Sequence, residues 1–184
     1  MKITDVETII LKSPHSYGMD AGAEDSHGPD FACVIRVHTD EGITGIADID
    51  SNPHVMKTII EAPVYVGIIS QGLRNAVIGE DPFEVEKIWD RMYQLSLYHG
   101  RRGAAIQAIS GIDIAIWDIL GKATHQPVCK LLGAKRRDRI RAYASTLFRD
   151  TPEAMQSAVN KYKSQGFTAC KFGSAKTDIQ LSTR

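Results

Sequence analysis

The alternation of apolar and polar positions marks the first fifty residues as strand-forming. Ile3 to Lys12 alternates and is rich in β-branched residues, which predicts a strand. Phe31 to Thr39 ("FACVIRVHT") predicts a second. The turn "DEG" and the run Ile43 to Ile49 predict a third strand, returning as an antiparallel hairpin. Between the first two strands lies "SPHSYGMDAGAEDSHGPD", Ser13 to Asp30, a long polar loop. Loops of that length inside a compact domain are functional or disordered.

After "DSNP" the period changes from two to that of a helix. Pro53 suits a first helical turn, and Pro63 breaks or restarts the helix. In "GEDPFEVEKIWDRMYQLS", Asp81 reads as a cap and Pro82 as the first turn. Phe83, Val85, Ile88, Trp89 and Met92 read as the apolar stripe. Gly103 to Ala123 predicts the most apolar helix, with Ile109, Ile112, Ile116 and Leu120 at helical spacing and Ile106 and Trp117 beside them. Asp113 and Asp118 fall within this run. Buried carboxylates need partners, so both read as structural acids that cap or pair with a nearby Arg or Lys.

The pattern changes again after "QPVCKLLG". Ile140 to Ser145 predicts a short strand. Thr151, Pro152 and Glu153 open a helix with a cap, a first-turn proline and an acid near the positive helix end. Gly166 is its stop, and Phe167 to Phe172 predicts another strand. Strand, helix and strand with short connections make a βαβ unit with parallel strands. The resulting fold class is an α+β domain over residues 1–125, an antiparallel three-stranded sheet with helices. Residues 126–184 then read as the first βαβ unit of an incomplete (β/α) barrel, since such a barrel needs eight units.

Composition narrows the function. Lys plus Arg (22) equals Asp plus Glu (22) over 184 residues, so the formal net charge is zero. A neutral chain lacks the electrostatic footprint of a nucleic-acid or anionic-membrane binder. The cluster Lys135, Arg136, Arg137, Arg139 and Arg141 reads as a solvated or locally paired face. Three cysteines, Cys33, Cys129 and Cys170, contain no CxxC pair, which argues against a zinc site or a disulfide framework. Free thiols fit a reducing cytoplasm. The start "MKITDVETII" lacks a signal-peptide core, and no stretch reads as long and apolar enough to span a membrane.

Several segments together resemble the N-terminal half of the enolase superfamily, in particular its mandelate racemase and muconate-lactonizing group. They are "VIRVHTDEGITGIADID" (Val34 to Asp50), "IGEDPFEVEKIWDRMY" (Ile78 to Tyr93), "GRRGAAIQAISGIDIAIWDILGKATHQPVCKLLG" (Gly100 to Gly133), "RIRAYAS" (Arg139 to Ser145) and "GFTACKFG" (Gly166 to Gly173). The resemblance runs in order over nearly the whole chain. It implies a capping domain whose two loops, Ser13 to Asp30 and Asp48 to Pro53, close over a barrel mouth and select substrate. His15, Asp20, Asp48, Asp50 and Asn52 are the substrate-binding candidates on those loops.

The chemistry implied by the resemblance is removal of a proton alpha to a carboxylate, with magnesium holding the enediolate. A sugar-acid dehydratase is the first expectation; a racemase or epimerase of the same group, or a non-catalytic fragment or capping and interaction module, is the alternative. The family pattern Lys-x-Lys places a catalytic base at Lys171, with Ala169 where the first lysine stands. That first lysine helps lower the pKa of the second, because neighbouring cations disfavour each other's charge. By itself Lys171 reads as a solvent-facing lysine. The family's three metal-binding carboxylates lie on later barrel strands. This chain is therefore expected to be truncated before them, to bind no metal itself and to be inactive alone. A small carboxylate or sugar acid is the expected partner of a completed protein. The uncovered barrel start is expected to promote aggregation or homo-oligomers.

Overall fold

In the computed structural model, residues 1–12, 31–64, 71–98, 100, 102–147 and 149–173 are described. They fall into two compact units, Met1–Lys135 and Arg136–Arg184. The first carries a sheet of order β1-β2-β3, formed by β1 (Ile3–Lys12), β2 (Phe31–Thr39) and β3 (Thr44–Ile49). Both pairings are antiparallel. Gly42, at φ +77°, closes the β2–β3 hairpin in a conformation that favours glycine. The helices are α1 (Pro53–Glu61), α2 (Arg74–Val77), α3 (Val85–Leu95), α4 (Ala104–Thr124) and α5 (Val128–Leu131). The second unit contains β4 (Ala144–Leu147), α6 (Pro152–Ser164) and β5 (Cys170–Gly173). β4 and β5 pair in parallel, as a βαβ unit requires.

Strand alternation sends one set of side chains inward. Val6, Cys33, Ile35, Val37, Ala47 and Ile49 are buried against the helices. From α4 come Ala108, Ile109, Ile112, Ala115, Ile116 and Ile119, all fully buried. Each buried isoleucine contributes roughly 2 kcal/mol through removal from water. Two glycines set how closely these layers approach. A methyl group at Gly45 of β3 would sit 1.9 Å from the carbonyl oxygen of Ala115 on α4. One at Gly111 of α4 would sit 2.3 Å from Ile49 Cδ1. The first obstacle is backbone and cannot swing aside.

Both edges of the sheet are finished by side chains. At the β1 edge the Thr8 N–H donates to Glu61 Oε1 (2.8 Å), and Lys57 Nζ donates to the Thr8 carbonyl (3.0 Å). At the β3 edge the Ile46 N–H donates to Asp118 Oδ2 (2.9 Å), and Lys122 Nζ donates to the Thr44 carbonyl (2.7 Å). Lys57–Glu61 and Asp118–Lys122 are each ion pairs at i,i+4. Partly exposed pairs of this kind contribute at most about 1 kcal/mol. The larger contribution is a partner for strand groups that would otherwise lack one, about 1 kcal/mol for each bond.

Several expected details shift. α3 starts at Val85, not Pro82. Asp81 accepts from the Phe83 N–H (3.0 Å) in a local turn, which leaves Phe83 exposed and off the apolar stripe. β4 begins at Ala144, because Arg139 to Tyr143 precede the pairing with β5 and stay exposed. Asp118 pairs as expected, whereas Asp113 sits mid-helix and neither caps nor pairs among the described residues. Burial raises its carboxyl above the ordinary range. Contrary to the expectation of no such stretch, α4 is long and apolar enough to cross a membrane by length and composition. Its 21 residues span about 30 Å. Its buried face lies against the sheet, the position of a core helix.

The close approach and the finished edges can each be tested. Gly45→Ala is expected to lower stability by about 3 kcal/mol, read by urea unfolding followed by circular dichroism; a loss below about 1 kcal/mol would refute the close approach. For Glu61, burial acts to raise the carboxyl, but hydrogen bonds from Lys57 and Thr8 outweigh it and hold it below the ordinary value of 4.5. A depressed folded pKa gives stability that is present above the unfolded value and lost as pH falls through the folded one. The stability difference between wild type and Glu61→Gln is therefore expected to shrink as pH falls below about 4.5. A difference equal at neutral and strongly acidic pH would sink this assignment.

Candidate active site

The loop end of the sheet brings together chain segments far apart in sequence. Lys12, at the end of β1, is in register with Phe31, at the start of β2. Lys12 Nζ lies 6.0 Å from the centre of the Phe31 ring, within reach of a cation–π contact. The Phe31 ring meets His54 edge to face at 6.2 Å. His54 belongs to the first turn of α1. Beside it, Ser51 Oγ donates to Gln107 Oε1 of α4 (2.8 Å), which ties the β3–α1 connection to the core helix.

The candidate residues fall into three groups. His15 and Asp20 lie outside the described residues. Asp48 belongs to β3 and not to a loop, opposite Val34 in the register, and its side chain is exposed. Asp50 is exposed just beyond the strand end. Asn52 is the N-cap of α1: its Oδ1 accepts from the N–H groups of His54 (3.1 Å) and Val55 (3.3 Å). Asp50, Asn52 and His54 are therefore placed at one end of the sheet by the close of β3 and the cap of α1.

In the second unit, Lys171 is the second residue of β5 and faces Ser145 of β4 in the parallel register. Both side chains are exposed, while the alternate position Ala144 is buried. Lys171 therefore stands on the open side of the two-strand sheet. Arg141 fixes the approach to β5 by donating to Thr168 Oγ1 and to the Thr168 carbonyl, each at 2.8 Å. This accounts for one member of the basic cluster; its residues are exposed.

Among the described residues, no three His, Cys, Asp or Glu side chains converge as a metal ion requires. Magnesium takes near-octahedral oxygen ligands, and the described acids are spread over strand ends and helix flanks. These residues do not fit a magnesium site. Burial pushes the Cys33 thiol up, consistent with an apolar role, and Cys129 is exposed.

Sequence reading missed Lys12, Phe31, Ser51 and Gln107 as parts of this surface. The first two were within reach, since antiparallel strands that bracket one loop must bring their ends together. The Ser51–Gln107 contact joins positions 56 residues apart, and no local pattern reports it.

Residues 8–133 match the family model described as mandelate racemase / muconate lactonizing enzyme, N-terminal domain. The chain is 38% identical over 139 residues to a D-galactonate dehydratase of Xanthomonas campestris pv. campestris, covering 75% of this chain and 34% of that protein. It is 37% identical over 113 residues to an L-rhamnonate dehydratase of Saccharopolyspora erythraea, covering 61% and 26%. Its fold is similar to the crystal structure of the 3,6-anhydro-D-galactonate cycloisomerase from Zobellia galactanivorans. That likeness has a TM-score of 0.75 and 28% identity, over 94% of this chain and 42% of that one. The matches thus span 26% to 42% of these relatives' lengths. The three-stranded sheet, the glycine-seated core helix and the parallel unit beyond them agree with the family match. The chain belongs to the mandelate racemase / muconate lactonizing enzyme family, whose N-terminal domain occupies most of its length.

Proposed function

We propose that this chain supplies the substrate-selecting cap and the first catalytic strand of an acid-sugar dehydratase. The observation that carries this reading is its similarity to two dehydratases of sugar acids, L-rhamnonate and D-galactonate, at 37% and 38% identity. The polar character of the β3–α1 connection, with Asp50, Ser51 and Asn52 leading to His54, whose ring meets Phe31, supports a polyhydroxylated substrate over an apolar one.

In this reading, Lys171 is the base. Its side chain lies on the open side of β5, and functional residues of (β/α) barrels sit toward the carboxyl ends of strands. The amine, in its neutral form, takes the proton alpha to the substrate carboxylate. Departure of the beta-hydroxyl, which takes up that proton from the Lys171 ammonium and leaves as water, then gives an enol that tautomerises to a 2-keto-3-deoxy acid. A base beside a site that stabilises the developing oxyanion is the general requirement of such chemistry. Members of the family use magnesium for that purpose. The described residues do not make such a site; in this reading the carboxylates that would hold the metal belong to later barrel strands.

The test has two arms. The purified chain, given magnesium and a panel of acid sugars including D-galactonate and L-rhamnonate, is expected to form no 2-keto acid. A chimaera with residues 1–173 ahead of the remaining barrel of the Xanthomonas dehydratase is expected to dehydrate an acid sugar. Lys171→Ala in that chimaera should lower kcat at least about 100-fold. Epimerisation without loss of water would favour the racemase alternative, and an unchanged kcat in Lys171→Ala would remove the lysine from the mechanism.

A further inference from the structure

We propose that Gln107 is a positioning residue: through Ser51 it holds the β3–α1 connection in the form that presents the Asp50 carboxylate to substrate hydroxyls. This rests on the reading of the chain as the substrate-selecting cap of an acid-sugar dehydratase, and adds to it a residue of the core helix. Asp50, Ser51 and Asn52 join β3 to α1. The Ser51 N–H donates to the Ile49 carbonyl (2.9 Å), and Ser51 Oγ donates to Gln107 Oε1 (2.8 Å). Asn52 caps α1 with its side chain, and its carbonyl accepts from the Met56 N–H (3.1 Å). Asp50 lies between these tied positions. It is exposed, and its carboxylate has no hydrogen bond or ion pair among the described residues.

The connection is held from a rigid base. Gln107 stands in the first turn of α4, and its N–H donates to the Gly103 carbonyl (3.1 Å). One turn further along, Gly111 leaves room for Ile49, the last residue of β3. The seat that fixes the end of β3 on α4 therefore also brings Ser51 within reach of Gln107. Gln107 itself is exposed and lies outside the buried core, so truncating it leaves that seat intact.

The group that is presented matches the substrate class. An ionised carboxylate is a pure acceptor with two oxygens, so it can take two hydroxyl donors at once. Bonds to a charged acceptor are shorter and stronger than neutral ones. The Asn52 side chain is already engaged in the helix cap, which leaves Asp50 as the hydroxyl reader of the connection. A segment ordered before substrate arrives loses less freedom on binding. Removing the Ser51–Gln107 bond adds that ordering cost to binding and leaves the proton transfer at Lys171 unchanged. The loss therefore falls on KM and not on kcat.

In the whole chain, Gln107→Ala is expected to speed amide hydrogen exchange at Ser51, His54 and Val55 about 5-fold, with exchange in β2 unchanged. Kinetics use the chimaera carrying residues 1–173 and whichever of D-galactonate and L-rhamnonate it dehydrates. There Gln107→Ala should raise KM about 5-fold, the factor matching one hydrogen bond, with kcat within about 2-fold of the parent. Ser51→Ala should do the same, and the double variant should be no worse than either single one. Ser51→Thr, which keeps the hydroxyl, should restore the lower KM. In an Asp50→Ala background, Gln107→Ala should raise KM no further. In an active chimaera, an unmoved KM, a fall in kcat alone, additive losses or no rescue by Ser51→Thr would overturn the positioning role by itself. So would unaltered exchange in the whole chain, or an effect of Gln107→Ala that persists without Asp50. A chimaera that dehydrates neither acid sugar overturns the functional reading, and the positioning role with it.

Discussion

The close seating of α4 on the sheet is the constraint on which the first unit depends. A helix and a strand approach this closely only where one of them lacks a side chain. Gly45 gives up its side chain on β3 and Gly111 gives up its own on α4. The isoleucines of α4 then reach Ile35, Val37 and Ile49 without a gap, and close packing in a core tolerates little change of volume. The same seating brings Asp118 and Lys122 to the β3 backbone and Gln107 to Ser51. Edge protection and the placement of the β3–α1 connection are consequences of one contact geometry.

The ion pairs at the sheet edges serve the backbone more than each other. Lys57–Glu61 and Asp118–Lys122 are partly exposed, where attraction between charges is weak. Each pair offers an acceptor and a donor at the spacing needed by the N–H and carbonyl of an unpaired strand edge. One edge meets α1 and the other α4, so the three-stranded sheet ends in a helix on both sides.

The candidate site residues are placed by different means in each unit. At the loop end of the cap, residues are held by secondary-structure termini: Asn52 by its capping role, Phe31 and Lys12 by register, His54 by the first helical turn. A surface built on such termini has a rigid base from which variable loops can depart. Lys171 is placed by strand alternation, which puts it beside Ser145 on the open side of the second unit.

The sequence by itself determined the order and type of the elements, because periods of two and 3.6 are local properties that side-chain burial enforces residue by residue. It made the hairpin, the core helix and the parallel unit legible, and offered Lys171 as a candidate through a motif. Ends of elements were less so: Asp81 looks like a helix cap but satisfies a turn, and Asp48 looks like a loop acid but lies in β3. Tertiary structure alone decided that Asp118 closes a strand edge 72 residues away and that Glu61 does the same across 53 residues. The physical reason is that a polar side chain takes whichever partner the packed chain brings within about 3 Å, and no local pattern of residues encodes that meeting.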